Sequence, residues 1–319
     1  MTDHRVLVAG ETLVDFLPER PGPLSEVASF DRRPGGAPAN VAVGLARLGQ
    51  VPLFWTRVGG DPFGGFLADT LVEAGIPDRF VEHDRDAKTT LAFVTHDESG
   101  DRAFTFYRDG TADTRFEPGA VPEDTLADVE RVVCGGVPLA TGRSRAAMLD
   151  LLDRAAATGA ETWFDPNYRP ELWPDDDFAS VAGDALADVD VLKATEEELR
   201  ELDVAGDSPR ALAEAVAERG PHTVLVTLGG DGALAHATAD APWGPATVEH
   251  GGYDVDVVDT TGAGDAFFAG AIARATDGDA SLETILSYAN AVAAVATTAS
   301  GAMAALPSHD TVVAVQDSA

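Results

Sequence analysis

The stretch Asp259-Thr-Thr-Gly-Ala-Gly-Asp-Ala-Phe-Phe268 decides how this chain folds and where its chemistry lies. An apolar and acidic run, 255–258, precedes it and predicts the end of a strand, and the Ala-, Phe- and Ile-rich segment 266–275 after it predicts a helix. Gly262 and Gly264 therefore lie at a strand-to-helix junction, where the first amides of a helix have no partner inside that helix. These amides, the helix dipole and the absence of side chains on glycine together favour an anion site.

Asp265 lies in the same junction and has two interpretations. An aspartate at a helix start is often only a cap. Alternatively, its carboxylate takes a proton from a hydroxyl beside a bound anion, which is the arrangement that phosphoryl transfer to an alcohol needs. The junction is not the dinucleotide fingerprint, because Phe267 occupies the position of its third glycine. It is not a Walker loop either, because the only lysines, Lys88 and Lys193, lie in no Gly-Lys-Ser/Thr motif.

Composition narrows the class of protein. A chain of 319 residues that is 45% apolar can bury a large core, and a single domain over 1–319 is expected. The formal net charge of −32, from 22 Lys and Arg against 54 Asp and Glu, argues against binding to nucleic acid or to an anionic membrane. Such self-repulsion is tolerable where salt screens it, so we expect a salt-adapted organism, as in extreme halophiles. The start of the chain has no signal-peptide pattern, which favours the cytoplasm.

The order of apolar runs predicts an α/β fold. Runs at 5–9, 131–137, 161–165, 189–193 and 223–228 alternate with helical segments, which indicates a doubly wound parallel sheet flanked by helices. Two β-rich runs at 90–95 and 102–107, joined by the turn-like segment 97–101, interrupt this alternation and predict a hairpin. Together with the segments after Gly10, this hairpin predicts a small β lid formed from about 11–33 and 88–112.

Polar and glycine-rich loops follow several of the predicted strands. Glu11 and Asp15 come directly after the first strand, and the double glycine Gly35-Gly36 opens a helix that carries Asn40 in its first turn. The segments 165–169, 193–198 and 227–232 also follow strand ends. Because open α/β sheets bind ligands at the carboxyl ends of their strands, we expect these loops to form one site.

Two motifs together carry a resemblance to a known family. The stretch Asp259 to Phe267, with Gly35-Gly-Ala-Pro-Ala-Asn40 near the start, resembles the ribokinase-like (PfkB) carbohydrate kinases, and the likeness extends over about 6–308. Within that family the chain is most similar to fructokinases. The stretches that support this are Gly10-Glu-Thr-Leu-Val-Asp-Phe16, Phe106-Tyr-Arg108 with Ala112-Asp113, Asp165-Pro-Asn-Tyr-Arg-Pro-Glu-Leu-Trp173, and Ala289-Asn-Ala291 with Ser300-Gly-Ala-Met-Ala-Ala-Leu-Pro307. The resemblance implies a ribokinase-like fold with a β lid, in agreement with the predicted pattern.

The resemblance also implies a role for each site residue. Asp265 would be the general base, and the amides of Gly262, Ala263, Gly264 and Asp265 would stabilise the transferring phosphoryl group. The sugar would be held by Asp15, Gly35, Gly36 and Asn40, with Arg108 and Arg169 near it. ATP would bind at Thr227, Gly229, Gly232 and Asn290. Glu198 would act on Mg²⁺ through water, and Asp259 would contribute to a site for a monovalent cation such as K⁺. Thr195 replaces the Asn of the family's Asn-x-x-Glu element, so no Mg²⁺ role is expected of Thr195 itself.

These implications lead to an ATP-dependent sugar kinase, with fructokinase as the first choice. A 2-keto-3-deoxygluconate kinase is the alternative among enzymes, and a catalytically silent sugar or nucleotide sensor is the alternative from another class. The sequence leaves open whether O1 or O6 of fructose is phosphorylated. The partners expected are therefore a small sugar and ATP, without nucleic acid or membrane. A homodimer that covers the lid's strand edges is a further alternative.

Overall fold

A computed structural model describes residues 4–20, 22–96, 102–173 and 177–317. The strands are β1 Val6–Ala9, β2 Leu13–Pro18, β3 Phe30–Gly35, β4 Leu53–Gly59, β5 Val81–Asp84, β6 Leu91–His96, β7 Arg102–Tyr107, β8 Arg131–Gly135, β9 Glu161–Asp165, β10 Val191–Thr195, β11 Thr223–Thr227, β12 Ala233–Ala237 and β13 Ala246–His250. The helices are α1 Ala37–Arg47, α2 Pro62–Glu73, α3 Glu123–Asp128, α4 Gly142–Thr158, α5 Phe178–Leu186, α6 Glu196–Glu201, α7 Pro209–Ala217, α8 Ala263–Thr276, α9 Leu282–Ala296 and α10 His309–Gln316.

A nine-stranded sheet forms the centre of the protein, in the order β13-β12-β11-β10-β9-β8-β1-β4-β5. Every neighbouring pair from β11 to β5 is parallel, and helices connect most of these strands. The predicted doubly wound α/β architecture is confirmed. The prediction did not include β12 and β13, which add to the edge as antiparallel strands.

Successive residues of each strand supply opposite faces of this sheet, because side chains alternate along a strand. In β1, Val6 and Val8 pack in a core with α1, α8 and α9, whereas Leu7 and Ala9 pack in a second core with α4, α5 and α7. Both faces of the strand are therefore buried, which explains why it is apolar without interruption. The carboxyl ends of these parallel strands meet at one edge, where the predicted loops lie.

A second, four-stranded sheet in the order β3-β2-β6-β7 covers this edge. Phe16, Phe30, Phe93 and Tyr107 form an aromatic cluster on one of its faces, with the rings of Phe16 and Phe93 stacked at 4.9 Å between centroids. Strands β2, β6 and β7 fall within the stretches assigned to a lid, and β3 runs two residues past the first of these stretches. The turn expected at 97–101 lies outside the described residues.

The strand expected at 255–258 is wrong. This segment has no strand pairing, and its side chains are largely in solvent, with Val257 61% and Val258 64% exposed. The Val258 amide instead donates to the carbonyl oxygen of Thr297 just after α9. Apolar residues predicted a strand here, but the segment is held at the surface by the turn after α9. Among the described helices, none combines the length and the hydropathy that crossing a bilayer requires.

Candidate active site

The start of α8 forms a turn that is suited to bind an anion, the anion turn, which consists of Gly262, Ala263, Gly264 and Asp265. Gly262 caps the helix with a positive φ of 76°, and a side chain there would collide with Ala302, whose Cβ would lie 2.6 Å from the added atom. The Ala263 amide turns back to the carbonyl oxygen of Thr260 at 3.2 Å. No such acceptor is found in the described ranges for the amides of Gly264 and Asp265, which are therefore free for a ligand. Three of the four predicted amides remain candidates, and that of Ala263 is already engaged.

Asp265 lies in the first turn of α8 and is buried, with 8% of its surface exposed. The Asn40 side-chain amide donates to Asp265 Oδ2 at 2.7 Å and orients the carboxylate. Burial raises the pKa of Asp265 to about 6, against the opposing effects of the Asn40 hydrogen bond and the Lys193 ammonium. At neutral pH this carboxyl group is ionised and basic enough to accept a proton.

A small cavity of about 100 Å³ opens beside Asp265 under the four-stranded sheet. Six of the residues assigned to catalysis or to the sugar line it, together with aromatic side chains of β7. The lining residues used below are Glu11, Asp15, Gly36, Asn40, Phe104, Phe106, Arg169, Gly262 and Asp265. Its volume and its polar wall match a small hydroxylated ligand.

Asp15 enters this cavity from β2, and Gly35 on the paired strand β3 makes room for it. A Cβ at position 35 would lie 2.0 Å from Asp15 Oδ2, so the glycine acts through packing and does not itself line the cavity. Burial raises the pKa of Asp15 to about 7, partly offset by the Arg169 guanidinium and reinforced by the Asp265 carboxylate. Asp15 therefore titrates close to neutral pH.

Two buried acceptors in this cavity lack hydrogen-bond partners among the residues that the structure describes. They are Asn40 Oδ1 and Glu11 Oε2, and both residues line the cavity. Buried polar atoms in proteins are nearly always paired, because an unmade hydrogen bond is costly. The cavity therefore has places for the hydroxyl groups of a ligand.

The two arginines assigned to the sugar differ in position. Arg169 lines the cavity, and its guanidinium lies 5.7 Å from the centre of the Phe104 ring. Arg108 does not line the cavity, and its side chain is buried outside it. Its Nε donates to Asp113 at 2.6 Å and its Nη1 to the Thr141 hydroxyl at 3.2 Å. The structure brings Arg169 to the predicted site and leaves Arg108 outside it.

A larger cavity of about 590 Å³ lies on the other side of the same turn. Ala263 and Gly264 line it at one end, and the four residues assigned to ATP also line it: Thr227, Gly229, Gly232 and Asn290. Asn290 additionally donates to the Leu286 carbonyl oxygen at 2.9 Å, so its side-chain amide is held in place within α9. The size suits a nucleotide.

Lys193 is a site residue that the sequence interpretation missed. It lines the larger cavity from β10, is only 3% exposed, and its Nζ donates to Asp165 Oδ2 at 2.8 Å. The same Nζ would lie 3.2 Å from a Cβ at Gly264, so it contacts the anion turn. Burial lowers the pKa of Lys193, but the carboxylates of Asp165 and Glu198 outweigh it, so the net pKa is raised and the side chain is a cation.

Glu198 lies at the third position of α6 and forms a capping box with Thr195. Its two oxygens accept from the amides of Tyr168 at 2.9 Å and Thr195 at 2.8 Å. Glu198 does not line the larger cavity, whereas Glu196 and Glu197 do. A carboxylate with two accepted bonds keeps lone pairs free, so contact with a metal ion through water fits this arrangement. Within the described part of the chain, no three potential ligands group into a metal cage.

Asp259 ties together the two loops that border the anion turn. Its Oδ1 accepts from the amide of Thr261 at 2.9 Å, and its Oδ2 accepts from the amide of Gly301 at 3.0 Å. This geometry gives Asp259 a structural role in the loop. Its assignment to a monovalent cation stays a prediction.

Known proteins resemble this chain over its whole length. Residues 3–309 match the model of the pfkB family carbohydrate kinases. The fructokinase of Klebsiella pneumoniae is 36% identical over 312 residues, covering 96% of this chain and 97% of that protein. A fructokinase double mutant from Vibrio cholerae, crystallised with fructose, ADP and a potassium ion, superposes with a TM-score of 0.84 at 32% identity, covering 99% of each chain. An E. coli protein in complex with ATP and Mg²⁺ superposes with a TM-score of 0.88 at 27% identity, also over 99% of each chain.

The extent of these matches covers both cavities and the turn between them. The ribokinase-like fold expected from the sequence is thereby confirmed, as is a phosphotransferase that acts on a sugar hydroxyl. This chain belongs to the pfkB family of carbohydrate kinases.

Proposed function

We propose that this protein is an ATP-dependent fructokinase. The observation that carries the proposal is the position of the anion turn between two cavities. Ala263 and Gly264 line the larger cavity, while Gly262 and Asp265 line the smaller one. A nucleotide in the first and a sugar in the second would meet at a single helix N-terminus, with a base and free amides beside the reacting atoms.

Asp265 would act as the general base. As the sugar hydroxyl oxygen forms a bond to the γ-phosphorus, the bond from that phosphorus to the β–γ bridging oxygen breaks and ADP leaves. The hydroxyl proton passes to Asp265, which Asn40 holds in place. A positioned base of this kind contributes about 10²–10⁴-fold to the rate.

The transferring phosphoryl group would be stabilised by the free amides of the turn and by Lys193. These groups are fixed before the reaction, since α8 orients the amides and Asp165 holds the ammonium at 2.8 Å. Preorganised donors in a buried site stabilise developing charge without the cost of reorganising solvent.

Mg²⁺ would bridge the phosphates of ATP and neutralise their charge when it is bound. Glu198 is the carboxylate that we propose to orient its water ligands, with Glu196 and Glu197 at the cavity wall. We also propose a K⁺ requirement through the loop of Asp259. The support is that loop's position at the anion turn and the potassium ion in the Vibrio cholerae structure.

The cavity's electrostatics favour fructose over the anionic 2-keto-3-deoxygluconate. Three acidic side chains, Glu11, Asp15 and Asp265, line it against one guanidinium, that of Arg169. A carboxylate sugar would add an anion beside Asp265, which is ionised at neutral pH, and Asp15, which is partly ionised, in a space of low dielectric where like charges repel strongly. A silent sensor is disfavoured as well, because a sensor has no use for a base and free amides at the junction of two cavities.

A panel of sugars with ATP and Mg²⁺ in molar KCl tests the proposal. We expect fructose-dependent release of ADP, with fructose used more efficiently than 2-keto-3-deoxygluconate, ribose or nucleosides. If the enzyme uses 2-keto-3-deoxygluconate more efficiently than fructose, the proposed substrate is wrong and 2-keto-3-deoxygluconate takes its place. No sugar-dependent ADP release above background would support the sensor instead.

We further propose that two copies associate through the four-stranded sheet. In the described residues its outer strands are β3 and β7, and Tyr107 at the end of β7 is 60% exposed. Unpaired strand edges favour association. A dimer mass by light scattering in high salt is expected, and a monomer mass would contradict this.

A further inference from the structure

We propose that Glu11 is a substrate-specificity residue, which binds a hydroxyl of the sugar other than the one that is phosphorylated. This inference rests on the proposed kinase function and adds a residue to it. Glu11 follows β1 directly and lies in the wall of the smaller cavity, with Asp15, Asn40 and Asp265. It is 2% exposed, so bulk water cannot pair with its side chain, whereas a ligand in the cavity can.

The first step of the argument is that one carboxyl oxygen of Glu11 lacks a partner among the described residues. Its Oε2 is buried and accepts no hydrogen bond within the described ranges. A buried carboxyl oxygen without a partner carries a desolvation cost that the native structure normally avoids. A hydroxyl bound in the cavity would remove that cost.

The second step concerns a structural ion pair. The arginine that acts most strongly on Glu11 is Arg108, and two of its three guanidinium nitrogens, Nε and Nη1, already donate to other residues. Asp113 accepts from Arg108 at 2.6 Å, and the other oxygen of Asp113 accepts from the Thr111 hydroxyl at 2.8 Å. Arg108 therefore has its own carboxylate partner, and Glu11 stands beside this pair without a hydrogen bond to it.

The third step concerns what Glu11 offers to a ligand. Burial raises the pKa of Glu11 to about 8, so at neutral pH its side chain is mostly a neutral carboxylic acid. A carboxylic acid has one O–H donor and a carbonyl acceptor, whereas a carboxylate only accepts. A sugar hydroxyl both donates and accepts, so it can pair with both functions. A C–H group in place of that hydroxyl would leave Glu11 unpaired, which is how a buried polar group discriminates between substrates.

Asp265 cannot fill this role. It is held by Asn40 at the anion turn, where it is assigned to the hydroxyl that reacts. Glu11 belongs to another element, at the end of β1, so the two carboxyl groups are available for different hydroxyls of one ligand.

The test is a cycle that combines Glu11→Ala with fructose analogues lacking one hydroxyl each. With the wild-type enzyme, one analogue should lose about tenfold in kcat/KM, the value expected when a buried hydrogen bond is left unmade. With Glu11→Ala the same analogue should lose less than about twofold relative to fructose, because its partner is already gone. Glu11→Gln keeps a donor and an acceptor and should restore most of the wild-type kcat/KM and the discrimination.

Asp84→Asn is the matched control, since Asp84 is also a buried acid but lies in β5 and lines neither cavity. It should leave the discrimination among analogues unchanged. The KM for ATP and the thermal midpoint of each variant report on folding.

If every analogue loses the same factor in the wild type and in Glu11→Ala, the role of Glu11 is overturned while the kinase function stands. If the wild type phosphorylates a different sugar, fructose as substrate is wrong, and the same cycle on analogues of that sugar decides the role of Glu11. If it phosphorylates no sugar, both proposals fall.

Discussion

The two cavities on either side of the anion turn are lined by different kinds of chemical group. The larger one is lined at its ends by glycine-containing loops after β11 and at the start of α8, where backbone groups face the ligand. The smaller one is lined by acidic and amide side chains from the end of β1, from β2, from α1 and from α8. We expect the glycine loops and the Lys193 ammonium to hold the nucleotide, and the buried acids of the smaller cavity to hold the sugar. Changes on the two sides should therefore have separable effects.

The largest effect is expected from Asp265→Asn, which keeps the size of the side chain but removes the base. Turnover should fall by at least about 10²-fold, while the dissociation constants of sugar and ATP change little. Steady-state kinetics and calorimetric titration measure the two quantities. Asp277→Asn, just past the other end of α8, is the control and should be near wild type. Near-normal turnover of Asp265→Asn would refute the assignment.

Lys193→Met should lower turnover by about 10–100-fold, as expected when one stabilising group at a developing charge is lost. It should also destabilise the protein by about 3–5 kcal/mol, because Asp165 is left as an unpaired buried charge. The double variant Lys193→Met/Asp165→Asn separates the two consequences. Chemical denaturation should show that stability is largely regained, while turnover stays low. If turnover recovers together with stability, Lys193 is only structural.

Gly264→Ala tests the backbone side of the comparison. The added Cβ would lie 3.2 Å from Lys193 Nζ and would crowd the space for the phosphoryl group. We expect the KM for ATP to rise about tenfold with little change in the KM for sugar, since interactions in the larger cavity act on the nucleotide. Gly183→Ala in α5 is the control, because a side chain there meets nothing within 4 Å. Equal effects on both KM values would contradict a separation of the cavities.

The pH dependence of kcat/KM tests the acidic side chains that line the smaller cavity. Because burial raises the pKa of Asp265 to about 6, the base is ionised above that pH and protonated below it. The value of kcat/KM for the sugar should therefore fall as the pH drops through about 6, and at pH 5 by about tenfold, since each pH unit below the pKa lowers the ionised fraction of the base about tenfold. Activity that stays constant down to pH 4.5 would show that this carboxyl group is not the base.

The smallest effect concerns the charged surface, which contrasts with the buried acids of raised pKa inside the smaller cavity. With a net charge of −32, the thermal midpoint should rise by several degrees between 0.1 M and molar KCl as salt screens the repulsion. Sucrose at equal osmolarity is the control for exclusion effects. An unchanged or lower midpoint in KCl would remove the argument for salt adaptation.

The alternating pattern was enough to predict the parallel sheet, because β1, β8, β9, β10 and β11 are apolar runs buried on both faces. The pattern gave a wrong prediction where apolar residues are neither buried nor paired in a sheet. Residues 255–258 are rich in valine but lie unpaired at the surface, so local composition gave a strand that tertiary structure does not form. The edge strands β12 and β13 were missed because they contain Ala, His and Glu in place of β-branched runs.

The site was predictable where glycine marks close approach, as at Gly262 and Gly264. It was not predictable where a role depends on what a buried side chain lacks. Glu11 was recognised only as an acidic residue after a strand, and its unpaired oxygen is visible only in three dimensions. Lys193 offered a usable signal, since a chain with only two lysines placed one of them inside an apolar strand.

The most direct test of the central claim is a crystal structure of Asp265→Asn with fructose and ATP bound together. The account predicts fructose in the smaller cavity, with one hydroxyl within hydrogen-bond distance of the side chain at position 265. It also predicts the γ-phosphate on the amide of Gly264, in line with that hydroxyl. Fructose bound elsewhere, or a nucleotide whose γ-phosphate lies away from the turn, would contradict it.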